Sequence, residues 1–367
     1  MINRLVIENL KHRRLRTGLS ALSIGFQVTM ILAVVGLSRG MLQDSQARAR
    51  GAGADIFVKP PGASAISLAG ASMPEKMISA FFLNQPHVRR AAGTLVHPIG
   101  GISTITGVRI DDFTAMSGKF RFIEGGPFQG KLDVIIDEYY AEQNKMRVGD
   151  TIRLIENNWR VSGIAEAGKL ARIIVPLETL QDLTGNTGKV SQVLLKLDDP
   201  KATPSVIAAM KANPGLEGYS IYSVEEFVSL FSVDNVPGLK AFIYVIIGLS
   251  IVIGFLVVWL TMYTTVLERT REIGILKALG ASPADIVNIL LRETLVLALV
   301  GWASGVALSY AANATINGLV HASLQSVIVY DWWPIVMAIA VFASLLGATW
   351  PGLRAARQDA IEALAYE

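Results

Sequence analysis

The sequence contains no cysteine among its 367 residues. This absence excludes disulfide bonds within the chain, thiol redox chemistry and cysteine metal ligands. The chain has only four histidines, His12, His87, His97 and His321, and their wide separation lacks the spacing of a metal site. We therefore expect this chain to bind no metal and no cofactor, and to contain no catalytic centre.

A nucleotide-binding loop of the form G-x-x-x-x-G-K-[ST] is also absent. The pairs Gly168-Lys169 and Gly188-Lys189 are each followed by an apolar residue instead of the required Ser or Thr. Neither a G-x-S-x-G motif nor an H-E-x-x-H motif occurs. Any ATP hydrolysis linked to this chain is therefore expected on another polypeptide.

Charged residues are scarce as well. They make up 17% of the chain, against about 25% in typical soluble domains, whereas hydrophobic residues make up 51%. Four stretches without Asp, Glu, Lys or Arg exceed the roughly 20 residues that cross a bilayer core: 17–38, 241–267, 294–320 and 332–353. The sequence thus predicts four transmembrane helices, TM1 to TM4.

A basic head followed by an apolar run is also typical of a secretory signal peptide. The run that starts at residue 17 exceeds the usual apolar region of about 7–15 residues, and no small-x-small cleavage site closes it. We therefore favour a retained TM1.

The predicted organisation is an amphipathic elbow helix at 1–16, TM1 at 17–38, an extracytoplasmic α+β domain at 39–240, TM2 at 241–267, a coupling helix at 268–285, TM3 at 286–320, an outer loop at 321–331, TM4 at 332–353 and a tail at 354–367.

The positions of the basic residues predict the orientation of the chain. Basic residues precede TM1, lie between TM2 and TM3, and follow TM4, and such flanks favour the cytoplasm. Both termini are then cytoplasmic and the long segment between TM1 and TM2 is outside. Because these flanks explain the net charge of +3, we infer no nucleic-acid partner.

The long segment alternates short apolar runs with turn residues, which is typical of a mixed α+β domain. Gly149-Asp150 and Asn157-Asn158 are predicted turns, because these residue types tolerate positive φ angles. The predicted strands are 55–59, 134–136, 151–155, 159–164 and 193–197, and the predicted helices are 138–145, 177–183 and 204–212.

Small residues recur four apart in three of the spans. Such spacing lets helix backbones approach closely in lipid, although small residues are also simply common in membrane helices. The predicted helix-packing residues are Ala21, Gly25, Gly301, Gly305, Ala343 and Gly347.

The segment ERTREIGILKALGAS, residues 268–282, follows TM2. Its charges pair at i,i+3, and Ile273, Leu276 and Leu279 form a narrow apolar face, as in a short helix. Gly280 is a natural helix stop, and Ser282 with Asp285 resembles a capping box for the next helix. Such a helix could transmit a push between TM2 and TM3; the alternative is a solvated charged loop.

The same segment resembles the coupling helix of MacB-like and FtsX-like ABC transporter permeases, the four-helix type VII group, in which E-R-x-x-E-I-G-x-x-x-A-x-G-A is typical. The tail LRAARQDAIEALAYE and the opening ENLKHRRLRTGLSALSIGFQV are similar to the ends of that family. Ala360 and Ala365 depart from the proline and the basic residue that are common there.

The resemblance implies a non-catalytic permease of the bacterial inner membrane, most simply a homodimer in the lipid bilayer. It implies a separate ABC ATPase that binds ATP and Mg, and a periplasmic adaptor with an outer-membrane channel as further partners. The function implied is export or extraction of hydrophobic or amphiphilic cargo; an FtsX-like platform that activates a cell-wall hydrolase is the alternative. The residues implied to contact the ATPase are Glu268, Arg269, Arg271, Glu272, Ile273, Gly274, Leu276, Lys277, Leu279 and Gly280.

Overall fold

A computed structural model describes residues 14–63, 71–100, 103–236, 238–319 and 325–358. The predicted elbow helix lies almost entirely outside these ranges, as do Ala360, Ala365 and the rest of the tail after residue 358. The chain forms two compact units. A helical unit combines residues 1–39, 238–316 and 326–367, and an α+β domain combines residues 40–237 and 317–325.

The described residues form the following helices and strands. The helices are α1 (Arg14–Gly51), α2 (Met77–Ala80), α3 (Ile110–Ser117), α4 (Glu138–Asn144), α5 (Leu177–Leu183), α6 (Thr203–Lys211), α7 (Val224–Leu230), α8 (Leu239–Glu268), α9 (Thr270–Ala278), α10 (Pro283–Leu319) and α11 (Trp333–Arg357). The strands are β1 (Ile56–Lys59), β2 (Met73–Pro74), β3 (Val88–Gly100), β4 (Ser103–Val108), β5 (Phe122–Gly125), β6 (Asp133–Asp137), β7 (Thr151–Leu154), β8 (Asn157–Ala165), β9 (Ile173–Pro176), β10 (Lys189–Val190), β11 (Gln192–Leu197) and β12 (Ser220–Ser223).

Four helices are long and apolar enough to cross a membrane: α1, α8, α10 and α11. Together with the α+β domain they confirm the predicted fold class. The first of them continues 13 residues beyond the predicted end of TM1 at residue 38. The charges at Arg39, Asp44 and Arg48 end the apolar run but not the helix, because the Met, Gln, Ala and Arg residues around them are good helix formers.

The α+β domain contains one large sheet, with strand order β12-β1-β11-β3-β4-β9-β6-β8-β5 and with β7 paired to β8. Side chains alternate between the two faces along each strand, so Ile56 and Val58 enter one core while Phe57 enters the other. The first core includes residues from α4, α5 and α6. The second includes residues from α3, α7 and the last turns of α1, so both faces of the sheet are covered.

One predicted turn is wrong by two residues. The positive φ angles before Trp159 belong to Ile155 and Glu156, not to Asn157 and its neighbour. Leu154 pairs with Asn157 across the hairpin, which leaves a two-residue loop between β7 and β8. Asn157 supports that loop through its side chain, which donates a hydrogen bond to the Ile155 carbonyl at 2.8 Å.

The first and last strands of the α+β domain are neighbours. β1 pairs with β12 in antiparallel register, and Ile56, the first residue of β1, lies opposite Ser223, the last residue of β12. Ser223 caps α7, because its hydroxyl accepts from the Glu226 N–H and the Glu226 carboxylate accepts from the Ser223 N–H. The chain therefore enters and leaves this sheet at one place.

Candidate coupling site

A short helix, α9, stands between two membrane-length helices because the backbone breaks on both sides of it. Arg269 leaves the helical conformation at φ −110° and ψ 13°, which separates α9 from α8. At the other end Gly280 adopts φ +95°, the conformation predicted for a helix stop. Ser282 and Asp285 then form the predicted reciprocal cap: each backbone N–H donates to the other side chain, at 3.0 and 3.2 Å.

The inner face of α9 packs on its neighbours. Ile273 is buried against Val266 of α8, Ile286 and Leu290 of α10 and Ala355 of α11. Leu276 is only half-buried at the edge of this cluster. The cluster joins the ends of three long helices to α9.

The predicted apolar face is wrong at Leu279, whose side chain is 81% exposed. The helix ends at Ala278, and Leu279 is the residue after its last turn, so the helical spacing no longer fixes its direction. Ile275, one turn earlier, is 46% exposed. Two apolar side chains at this end of the segment are therefore exposed.

A buried ion network holds the start of α9. Arg269 donates to Glu272 at 2.9 Å, as predicted from the i,i+3 spacing, and also to Glu293 of α10 at 3.1 Å. The side chains of Arg269 and Glu293 are 12% and 8% exposed. Sequence reasoning did not single out Glu293, which is 24 residues away and lies in the predicted TM3 at 286–320, just before the charge-free stretch that starts at residue 294. Removing one partner of such a pair typically costs about 3–5 kcal/mol.

Lys277 holds the other end of α9. Its ammonium group donates to the carbonyl oxygen of Ala356, at 2.8 Å, and to that of Gln358. These carbonyls belong to the end of α11, where a helix leaves acceptors without intrahelical partners and where a cation is favourable. The coupling segment is thus tied to α8, α10 and α11 by polar contacts as well as by its apolar face.

The predicted coupling residues divide into three groups by exposure. Those that are exposed are Glu268, Arg271, Glu272, Leu279 and Gly280. Those that are half-buried are Arg269, Leu276 and Lys277. Those that are buried are Ile273 and Gly274. A recess of about 290 Å³ lies beside them, lined mainly by apolar side chains including Val266, Ile275, Leu276, Ile289 and Leu290.

The predicted packing residues lie at two helix contacts. A Cβ atom on Gly25 of α1 would lie 3.3 Å from the Gly301 carbonyl oxygen, and one on Gly305 would lie 2.6 Å from that of Gly25. Thr29 bridges the same backbones, because its hydroxyl lies 2.8 Å from the Gly25 carbonyl and 3.0 Å from that of Gly305. Ala21 is buried beside them.

The second contact joins α8 and α11. A Cβ atom on Gly347 would lie 2.7 Å from the carbonyl oxygen of Phe255, so the two backbones touch there. Ala343, one turn earlier on α11, is buried at 1% exposure. The glycines at both contacts allow an approach that a larger residue would prevent.

A second charged cluster, in the α+β domain, fixes the end of α1. Arg172 donates to Asp44 and to Asp137, each at 2.9 Å, and Arg48 pairs with Asp44 at 2.6 Å. Burial raises the pKa of Asp137 to about 6, while the charge of Arg172 opposes that shift. The last residue of the helix, Gly51, touches a loop backbone that a side chain would overlap.

No group of three or more His, Cys, Asp or Glu side chains arranged for a metal ion occurs within the described ranges. Around α9, exposed side chains thus lie on one side and contacts with α8, α10 and α11 on the other.

Two family descriptions match this chain. The MacB-like periplasmic core domain matches residues 17–213, more than half of the chain, and the FtsX-like permease C-terminal region matches residues 244–360. The second match contains α9, α10, α11 and all but the first residues of α8.

Similar proteins come from bacteria and an archaeon. The macrolide export ATP-binding/permease protein MacB of Escherichia coli is 24% identical over 99% of this chain and 60% of that protein. The ABC transporter permease YknZ of Bacillus subtilis is 31% identical over 60% of this chain and 55% of that protein. The ABC transporter permease MJ1507 of Methanocaldococcus jannaschii is 29% identical over 61% and 59%. The chain thus spans about 60% or less of the length of these relatives.

Among solved structures, the periplasmic region of MacB from Actinobacillus actinomycetemcomitans is similar to 52% of this chain and 97% of that one. The two are 15% identical, with a TM-score of 0.38.

Proposed function

This chain belongs to the MacB-like family of ABC transporter permeases, and from that premise we propose that it is the membrane subunit of a machine driven by a separate ATPase. ATP and Mg²⁺ bind to the ATPase, and the chain itself performs no catalysis. The cargo is a hydrophobic or amphiphilic molecule that is exported or extracted. The working unit is a homodimer in a bacterial inner membrane, with both termini and α9 in the cytoplasm.

One observation carries this proposal: α9 has an exposed outer face and a fixed inner face. Ile275 and Leu279 are available to a partner, whereas Ile273, Arg269 and Lys277 are held by the surrounding helices. A rigid element held by packed side chains transmits a displacement better than a solvated loop, because coupling between sites is carried by packed side chains and ion-pair networks. An ATPase that pushes on this face would move the ends of α8, α10 and α11 together.

The first experiment is affinity purification of the protein from its native membranes, followed by identification of the proteins that accompany it. A P-loop ATPase recovered in equal proportion supports the proposal. Recovery without an ATPase, under conditions that preserve complexes, contradicts it.

A second experiment separates the two faces of α9. The double variant Ile275→Glu/Leu279→Glu places charge on the exposed face, so we expect normal folding with loss of ATPase binding. Leu83→Glu, at a 41% exposed position of the α+β domain, is the control and should bind the ATPase normally. Gly274 and Leu276, by contrast, belong to the packed side, and charged residues there should uncouple ATP hydrolysis from function by displacing the helix.

The alternative function is a signalling platform that activates a cell-wall hydrolase without transport. The FtsX-like match over residues 244–360 supports this alternative. The same purification distinguishes the two. A periplasmic adaptor or an outer-membrane channel in the complex favours export, and a peptidoglycan hydrolase favours signalling.

A further inference from the structure

Three aromatic rings form a shelf where α8 and α11 meet. Trp259 and Tyr263 of α8 stack with their ring centroids 5.9 Å apart, and Trp350 of α11 lies 5.9 and 6.2 Å from them. Each ring is near the C-terminal end of its membrane-length helix. Tryptophan and tyrosine prefer this depth, because their rings are apolar and their N–H and O–H groups reach the lipid headgroups.

Arg354 lies across this shelf. Its guanidinium carbon is 5.7 Å from the Tyr263 ring and 5.6 Å from the Trp350 ring. These distances are those of cation–π contacts, and the N–H groups of a guanidinium bind phosphate oxygens in pairs. The aromatic rings therefore help to position Arg354, whose N–H groups can donate hydrogen bonds to a phosphate.

A second arginine completes a recess of about 450 Å³. Its lining residues are Trp350, Leu353, Arg354, Arg357 and Gln358. Arg357 is one helical turn beyond Arg354, and both side chains are exposed. Among the residues whose placement is described, neither arginine is paired with a carboxylate. Two cationic groups thus line one recess.

An apolar track leads along α11 to this recess. Phe342, Leu346 and Leu353 are exposed at 61%, 46% and 44%, and with Trp350 they are spaced four, four and three residues apart. That spacing places them on one side of the helix. An acyl chain can lie against such a track while its headgroup meets the arginines.

We propose that this recess is a specific binding site for an anionic phospholipid, whose phosphate is held by Arg354 and Arg357 and whose acyl chain lies against Phe342 and Leu346. Free phosphate offers the same charge but no partner for the apolar track. A carboxylate of a cytoplasmic protein would likewise leave the track unused. Basic pockets at the ends of membrane helices are suited to anionic headgroups, and each arginine near the surface adds to the preference.

The test measures lipid binding to the detergent-purified full chain by native mass spectrometry, with equal amounts of phosphatidylglycerol and phosphatidylcholine. We expect a preference of about 30-fold for phosphatidylglycerol, from two arginines. The double variant Arg354→Gln/Arg357→Gln should reduce it to near unity. Arg89→Gln/Arg90→Gln removes two exposed charges from the α+β domain and should retain the full preference.

A charge-conserving variant tests whether misfolding explains a loss of lipid preference. Arg354→Lys keeps the charge but lacks the planar group that stacks and binds bidentately, so it should retain only part of the preference. Equal preference in wild type and in the double glutamine variant overturns the proposal. So does displacement of the lipid by millimolar inorganic phosphate alone, or a glutamine variant that loses ATPase binding while it keeps its lipid preference.

Discussion

Asp44, near the end of the first membrane-length helix, lies 2.9 Å from Arg172, which precedes β9. The two residues are 128 positions apart in the chain. Their side chains are 11% and 7% exposed, and Arg172 also binds Asp137. This contact attaches the last turns of α1 to the sheet of the α+β domain.

Replacing Arg172 with methionine should destabilise the protein by about 3–5 kcal/mol, because the buried Asp137 carboxylate loses its ion pair and Asp44 retains only Arg48. The melting temperature in detergent, followed by intrinsic fluorescence, measures the effect. Arg121→Met is the matched control, since the pair of Arg121 with Glu166 is exposed and should matter little. Equal melting temperatures for wild type and Arg172→Met would show that the cluster contributes nothing.

The pKa of about 6 at Asp137 predicts a pH dependence. The folded state holds this proton more strongly than the unfolded state, whose pKa is near 3.8, so stability falls as the pH rises from about 4 to about 6. A shift of this size corresponds to about 3 kcal/mol. Asp137→Asn removes the titration, so the melting temperature of wild type relative to Asp137→Asn should be higher at pH 4 than at pH 7. A constant difference, or one of opposite sign, would contradict the raised pKa.

The pair of Arg269 with Glu293 should behave as a unit. Glu293→Leu leaves the buried guanidinium with only Glu272, and we expect a loss of about 3 kcal/mol. The double variant Arg269→Leu/Glu293→Leu should be less destabilised than the sum of its single variants, because no buried charge is left without its partner and Glu272, which also loses Arg269, is 60% exposed. Thermal unfolding of all four proteins measures this coupling, and strict additivity would exclude it.

The backbone contact of α1 with α10 predicts a strong effect of one methyl group. Gly305→Ala places a Cβ atom 2.6 Å from the Gly25 carbonyl oxygen, and the strain should cost about 1–3 kcal/mol. Gly248→Ala in α8 meets nothing within 4 Å and should be neutral or stabilising, since alanine favours a helix. Comparable melting temperatures for the two variants would mean that α1 and α10 do not touch at this point.

Structural features that depend only on residues close together in the chain could be predicted from the sequence. The end of α9 at Gly280 and the cap by Ser282 and Asp285 are local, because they need only one backbone conformation and two nearby side chains. Hydropathy likewise located the four long helices, since a bilayer selects them by length and composition.

The sequence could not predict contacts between distant segments. Glu293 and Arg269 meet only because α8 and α10 come together, and Lys277 reaches Ala356 across 79 residues. The direction of the Leu279 side chain also depends on where α9 ends. The spacing of apolar residues alone does not show that the helix ends at Ala278. The extension of α1 to Gly51 was missed because the prediction followed hydrophobicity, whereas helix propensity and the buried charges decide where that helix stops.

The neighbouring positions of β1 and β12 bear on how this protein could change through evolution. Ile56 and Ser223 face each other across one pair of strands, so the chain enters and leaves the large sheet at adjacent positions. A module whose ends meet can be exchanged for another with only two junctions. Recombination could therefore replace residues 56–223, the segment that contains the large sheet, while the rest of the chain is inherited unchanged, and a chimera joined at these two strands is the corresponding engineering route.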